Sequence, residues 1–103
     1  MATQQLDLQL VADVKTHLNI TWSDPDTDRK VEIYIRSGMT YLDGKLGESA
    51  DYTQDGTPRT LLFEYCRYMR DGALDVFEPN YLSMILAMQN DRKVRAYAAE
   101  NAV

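Results

Sequence analysis

The side chains best suited to catalysis in this chain are its single histidine and single cysteine, His17 and Cys66. A nucleophile–base pair or a zinc site needs further histidines, cysteines or carboxylates placed beside them. His17 falls near a predicted helix end, where the helix dipole favours a cation. Cys66 falls on an apolar helix face, where cysteine behaves as a small hydrophobe. We therefore expect no catalytic residue, no metal ligand and no cofactor, and predict that the protein is not an enzyme.

A cluster of aspartates in the segment Asp24–Asp28 resembles the opening of a calcium-binding loop. An EF-hand loop requires glycine at its sixth position and glutamate at its twelfth. Those positions hold Arg29 and Ile35. Because both diagnostic positions fail, the aspartates are better explained as the negatively charged start of a helix.

The charge balance argues against general nucleic-acid binding. The chain carries 16 acidic and 11 basic residues, for a net charge of −5, whereas phosphate binding depends on Lys and Arg. The one dense basic segment is Arg92–Arg95. Gly44 and Gly47 fit neither a phosphate-binding loop nor a dinucleotide fingerprint. We therefore expect weak or absent binding to duplex DNA.

Tyrosine is abundant, with seven residues in the chain. Aromatic residues are enriched at protein–protein interfaces. The alternative is that the rings cover the rim of the core and keep their hydroxyls in water. Together with the basic segment, the tyrosines give a candidate assembly interface that consists of Tyr34, Tyr41, Tyr68, Tyr81, Arg92, Lys93, Arg95 and Tyr97.

A single small domain is expected to position these residues. The 103 residues are 45% hydrophobic and 26% charged, which is typical of a globular protein. The lone cysteine excludes an intramolecular disulfide and fits a reducing compartment. No apolar run approaches the roughly 20 residues that span a bilayer, and residues 1–5 carry no secretory signal. We expect a cytoplasmic protein.

Helical periodicity occurs four times and strand signals are nearly absent, which predicts an all-α fold of three to four helices. The first helix runs from about Asp7, its N-cap, to Leu18. The second follows a capping box formed by Ser23 and Asp26, has Pro25 in its first turn, and ends at Gly47.

The third helix is predicted to follow a mobile polar loop at residues 48–56. Thr57 is its expected N-cap and Pro58 its first residue, and Pro79 ends it. Its buried face is predicted to contain Leu61, Leu62, Tyr65, Cys66, Met69, Ala73 and Val76.

The fourth helix is predicted to begin near Asn80. Its apolar face is expected to contain Tyr81, Leu82, Ile85 and Met88, with Leu86 beside them. Residues 91–103 form an alanine-rich tail, which we expect to be helical or disordered, with helix forming against a partner. The folded core then spans about residues 7–90.

Three stretches of the chain share the order and spacing of a known family. They are Val14–Ile20, with its Lys-x-x-Leu-x-Ile ending; Asp24–Asp28, followed by Val31, Tyr34-Ile35 and Tyr41-Leu42; and Leu61–Met69, followed by Phe77–Tyr81. Together they resemble the phage head–tail connectors, small adaptor proteins that stack on the portal of tailed phages and prophages. The resemblance covers residues 8–92. It departs at Gly38-Met39, where such proteins often carry two alanines, although glycine also permits a close helix approach.

This resemblance implies a structural, non-enzymatic subunit with an all-α fold. It implies a homo-oligomeric ring of about a dozen copies, contact with the portal protein and with a tail-completion or stopper protein, and no membrane partner. DNA would only pass through the channel, where carboxylates repel phosphate. The protein would occupy the host cytoplasm during assembly and then the neck of the virion.

Two other functions remain open from the sequence. One is a small regulatory protein with a helix-turn-helix. The acidic balance counts against it, since the third helix offers only Arg59, Arg67 and Arg70 for a DNA groove. The other is a phage factor that binds one host protein.

Overall fold

Four α-helices account for most of the described chain. In the computed structural model, which describes residues 6–101, α1 spans Leu8–His17, α2 Pro25–Leu46, α3 Thr57–Arg70 and α4 Phe77–Glu100, with a short 3₁₀ turn at Leu74–Val76. No strand occurs within those residues, so the predicted all-α fold is confirmed. Residues 1–5, where no secretory signal was predicted, and residues 102–103, the end of the predicted tail, lie outside the described part.

Side-chain caps determine where α1 and α2 begin. The Asp7 carboxylate accepts a hydrogen bond from a backbone N–H three residues on, at 2.9 Å, which confirms the predicted N-cap of α1. The capping box predicted at Ser23 and Asp26 is wrong, because Asp24 is the N-cap of α2 and its carboxylate accepts the N–H bond. Pro25 fills the first helical position and needs no hydrogen bond there, so the cap falls directly before it.

The third helix is shorter than predicted. α3 ends at Arg70, and Gly72 follows in the left-handed conformation, with a φ of 70° that favours glycine. The predicted stop at Pro79 is wrong. Pro79 lies in the first turn of α4, where its missing N–H has no helical acceptor to lose. The fourth helix, predicted to begin near Asn80, therefore begins at Phe77 and includes Pro79 in its first turn.

The loop at residues 48–56 is anchored at its middle, contrary to the predicted mobile loop. Tyr52 is buried, and its hydroxyl donates to the Asp43 carboxylate of α2 at 2.6 Å. α3 follows directly, with Gly56 as its N-cap instead of the predicted Thr57. A single buried aromatic side chain thus fixes an otherwise polar connection.

The core is built around a close approach of α2 and α3. A Cβ atom at Gly38 would lie 2.7 Å from Leu62 and 2.9 Å from Tyr65, so the absence of a side chain there lets the helices meet. Val76, predicted on the buried face of the third helix, is exposed because the chain has already turned at Gly72. The buried core residues are Leu10, Val14, Leu18, Ile20, Val31, Ile35, Leu42, Leu46, Tyr52, Leu61, Leu62, Tyr65, Cys66, Phe77, Ile85 and Met88.

The C-terminal part of α4 extends beyond this core. Its 24 residues form a rod of about 36 Å, and the molecule measures 52 × 32 × 25 Å. Every residue from Lys93 to Glu100 is exposed. We call residues 93–100 the α4 tip. The predicted tail is therefore helical as far as Glu100, as a continuation of α4.

Candidate assembly surface

The single histidine and the single cysteine both have packing roles. His17 Nε2 lies 3.5 Å from a carboxylate oxygen of Glu64, and the imidazole packs against Phe63 with 5.4 Å between ring centroids. Cys66 is fully buried, and this burial raises the pKa of its thiol to about 12, so little nucleophilic thiolate forms at neutral pH. Across residues 6–101, no three His, Cys, Asp or Glu side chains gather as metal ligands would.

The aspartates of segment 24–28, which we call the acidic turn, stabilise the start of α2. Asp24 caps the helix. Asp28 pairs with Lys15 of α1 at 2.7 Å, and this hydrogen bond holds the pKa of the Asp28 carboxyl below its usual range. Asp26 is exposed in the first turn. These contacts agree with the helix-start interpretation of the cluster.

Three of the candidate interface tyrosines belong to an aromatic cluster inside the molecule. Phe77 is almost fully buried at its centre. The ring of Phe77 lies 6.0 Å from that of Tyr41, 5.6 Å from that of Tyr68 and 5.1 Å from that of Tyr81, between centroids. The cluster holds the start of α4 against α2 and α3. For these residues, the rim-of-core interpretation fits the packing better than the interface one.

Polar contacts at the rim reinforce the aromatic cluster. The Tyr41 hydroxyl donates to the Glu78 carboxylate, and Lys45 pairs with the same carboxylate at 2.6 Å. Burial raises the pKa of Tyr41, and its bond to Glu78 raises it further. The Lys45 ammonium holds the pKa of Glu78 below its usual range. Tyr34, the fourth tyrosine proposed on these helices, is half-buried and packs against the core.

The basic candidates divide into one structural and two exposed residues. Arg92 donates to a carboxylate just past the end of α2 at 2.8 Å, which fixes α4 to that end of the molecule. Arg95 lies 3.5 Å from Asp91 in an exposed pair one turn apart, a contact that contributes little. Lys93 is exposed and forms no ion pair within the described chain, and Tyr97 is 69% exposed.

An apolar stripe runs along the outer face of α4 and ends at Tyr97. We call it the outer stripe, and it consists of Leu82, Leu86, Asn90, Val94 and Tyr97. Its four apolar side chains are 46%, 53%, 57% and 69% exposed, in chain order. At about 100° per residue, all five positions fall within an arc of about 120°, on the side of α4 opposite Tyr81, Ile85 and Met88.

Sequence reasoning missed the outer stripe. Leu82 was predicted on the core face, and this is wrong. Because the start of α4 was placed at Asn80, Phe77 was left out of the helix. When Phe77 is counted as part of α4, the centre of the helix's buried face lies farther from Leu82 and Leu86. The available signal was a series of residues at intervals of four and three, from Leu82 to Tyr97, in which only Asn90 is polar.

A groove between α1, α2 and the 48–56 loop has a volume of about 460 Å³. Its carboxylates already have structural partners. Asp7 caps α1, Asp43 accepts from the Tyr52 hydroxyl, and Asp51 accepts from Thr53. The groove therefore presents no carboxylate that its own chain has left unbonded.

The outer stripe and the α4 tip form the candidate assembly surface. Within residues 6–101, no helix has both the length and the apolar character needed to cross a lipid bilayer. Comparisons of the chain with protein-family models, with curated proteins and with solved structures give no match.

Proposed function

We propose that this chain is a head–tail connector subunit of a tailed phage or prophage, which forms a ring on the portal, links capsid to tail and lets DNA pass. The observation that carries the proposal is the α4 tip, two turns of helix whose side chains lie outside the core. Helical turns gain most of their stability from tertiary packing. A projecting helix that carries exposed aliphatic and aromatic side chains is therefore suited to contact another subunit.

The two ends of the molecule differ, as neighbouring subunits in a ring require. The acidic turn begins α2, and Gly47 ends it 22 helical residues later, a distance of about 33 Å. Arg92 lies beside Gly47, so the α4 tip projects from the end opposite the acidic turn. Contacts between unlike surfaces of successive copies generate a ring when the rotation between copies closes.

The charge balance also supports a channel-forming role. Acidic residues exceed basic ones by five, and a wall rich in carboxylates repels phosphate and lets DNA slide. The resemblance of residues 8–92 to connectors points the same way, through the order and spacing of their helices.

Two of the three arginines that a helix-turn-helix would need for DNA binding form contacts within the chain. Arg59 pairs with Asp13 of α1 at 2.6 Å, and Arg70 donates to the backbone carbonyl of Leu18. Both guanidinium groups thus serve intramolecular packing. Of the three arginines, only Arg67 is exposed without such a contact, and one cation is too few for the many phosphate contacts that DNA binding needs.

Co-expression with the portal protein of the same genome tests the proposal. The expected result is a ring of this chain on the portal in electron micrographs. A truncation after Arg92 removes the α4 tip but keeps the contact of Arg92 with α2. We expect this variant to unfold with a free energy within about 0.5 kcal/mol of the full chain, and to fail in ring formation.

Leu8→Ser is the matched control, because Leu8 is an exposed apolar residue on α1, away from the tip. This variant should assemble normally. A chain that does not bind the portal, or a truncated chain that still forms rings on it, contradicts the proposed function. Capture of one host protein in place of the portal favours the host-factor alternative.

A further inference from the structure

The outer stripe of α4 is nearly symmetric about Asn90. Leu86 and Val94 each lie four residues from it, while Leu82 and Tyr97 lie eight and seven residues away. All four apolar side chains are largely exposed. Apart from Lys93, whose angle around the helix lies between those of Leu82 and Leu86, the stripe is apolar towards both ends and polar at its centre.

We propose that this stripe binds the outer stripe of a second copy of the chain, with the two α4 helices antiparallel and a two-fold axis at Asn90. In this dimer, Leu86 of each copy lies against Val94 of the other, and Leu82 lies beside Tyr97. Asn90 faces Asn90, where each amide offers both a donor and an acceptor. A polar pair at the centre of an apolar helix contact fixes its register.

The antiparallel pairing also gives the α4 tip a packing partner. Residues 93–100 of one copy lie over residues 80–87 of the other. The α4 tip, which has no core contacts in its own chain, thus packs against the α4 helix of the second copy. The small residues Ser83, within the arc of the stripe, and Ala87, at its border, let the helices approach. Lys93 lies within the arc of the stripe and falls opposite Ala87, so two cations do not meet there.

The contact is small, which sets its expected strength. From Leu82 to Tyr97 the stripe is about 22 Å long. A strip one helix wide and of that length buries less than the roughly 800 Å² per partner of a standard stable complex. We therefore expect a dimer that dissociates on dilution. The inference depends on the exposed face of α4 and holds whether or not the chain is a connector. In a connector, the dimer would dissociate before the α4 tip contacts a neighbouring subunit of the ring.

Cysteine cross-linking of the full chain tests the pairing geometry. Cys66 is fully buried and does not compete for oxidation. In the antiparallel dimer, position 90 meets itself, whereas the two copies of position 86 lie about 12 Å apart along the helix axis, beyond disulfide reach. Under mild oxidation we expect Asn90→Cys to form a disulfide dimer and Leu86→Cys to stay uncrosslinked. A mixture of Leu86→Cys with Val94→Cys should give the mixed dimer.

Sedimentation equilibrium of the chain alone tests the affinity. The natural chain should pass from monomer to dimer with rising concentration, and Val94→Asp should weaken the dimer at least tenfold. Leu8→Asp, which changes an exposed apolar residue of α1, should leave it unchanged. Melting curves of both variants check that each monomer is folded, as expected for substitutions at exposed positions.

Three results would overturn the dimer. The first is a chain that stays monomeric at the highest concentration. The second is cross-linking of position 86 to itself as readily as position 90, which indicates parallel helices. The third is a larger assembly without cross-links at position 90. Because portal binding is measured separately, each of these results leaves the test of the proposed function intact.

Discussion

At Gly38, the side chains of Leu62 and Tyr65 approach to within 3 Å of where a Cβ atom would lie. We expect Gly38→Ala to lower the free energy of unfolding by about 1–3 kcal/mol, because a methyl group forces apart two helices in a packed core. This loss exceeds the gain of about 1 kcal/mol that alanine brings to a helix interior. Urea denaturation measures the change.

Gly44 is the matched control on the same helix. Apart from its chain neighbours and the backbone of its own helix, no atom lies within 4 Å of a Cβ placed there. Gly44→Ala should therefore raise the free energy of unfolding by about 0.5–1 kcal/mol, through helix propensity alone. If both substitutions stabilise the protein, the close approach of α2 and α3 at Gly38 is wrong.

Paired carboxylates predict a loss of stability in acid. The hydrogen bond from Arg59 lowers the pKa of Asp13, and the bond from Lys15 lowers that of Asp28. The unfolded chain then binds more protons than the folded chain near pH 4. The stability from these pairs is therefore present above the ordinary aspartate pKa of about 3.9 and is lost as the pH falls through the lower folded values.

Asp13→Asn tests this acid dependence. The variant should be less stable than the natural chain at pH 7, and the difference should shrink as the pH falls and the natural carboxyl becomes protonated. Asp26→Asn, at an exposed position in the acidic turn, serves as the control. Chemical denaturation at several pH values measures the effect. An equal deficit at every pH would contradict the pairing of Asp13 with Arg59.

At the scale of the helices, Phe77 determines how α4 docks. Its ring is almost fully buried among tyrosines of α2, α3 and α4. We expect Phe77→Ala to cost about 3–5 kcal/mol, the usual loss for a buried phenylalanine, and to weaken the near-ultraviolet circular dichroism of the tyrosines. Phe63→Ala removes a half-buried ring of α3 outside this cluster. Equal losses for the two variants would show that Phe77 has no special role.

Helix ends were predictable where one residue carries the signal by itself. Asp7 as a cap and Gly47 as a stop act through their own side chain or backbone, so their positions follow from the sequence. Pro79 has two meanings, because a proline both ends a preceding helix and fits the first turn of the next. Choosing between them requires knowing that Phe77 is buried, which depends on contacts with α2 and α3.

The candidate assembly surface was predictable only in part, for the same reason. Tyr97 and Lys93 are exposed because nothing from the core reaches the α4 tip, and the weak apolar pattern of the tail already indicated this. Tyr41, Tyr68 and Tyr81 pack around Phe77, a residue that had been assigned to the wrong helix. Composition alone does not distinguish a tyrosine at a core rim from one at an interface.

For the whole molecule, burial decreases from the contact of α2 with α3 towards the α4 tip. Amide hydrogen exchange should follow this gradient, slowest at the centres of α2 and α3 and fastest at residues 93–100, whose backbone bonds are least shielded. Mass spectrometry of peptides from dilute protein measures the exchange rates of the helix centres and of the α4 tip. Slow exchange of the tip in dilute protein would contradict its exposed position in the monomer.

The exposed α4 tip also makes the chain sensitive to proteases. Trypsin cleaves after lysine and arginine in segments that unfold locally, and Lys93 and Arg95 both lie where no core contact holds the helix. Brief digestion should therefore remove the last eight to ten residues first and leave the four-helix core intact. The shortened chain loses Tyr97, and after cleavage at Lys93 it also loses Val94. A preparation trimmed in this way would melt normally yet lack part of the candidate assembly surface, and its measured mass would reveal the loss.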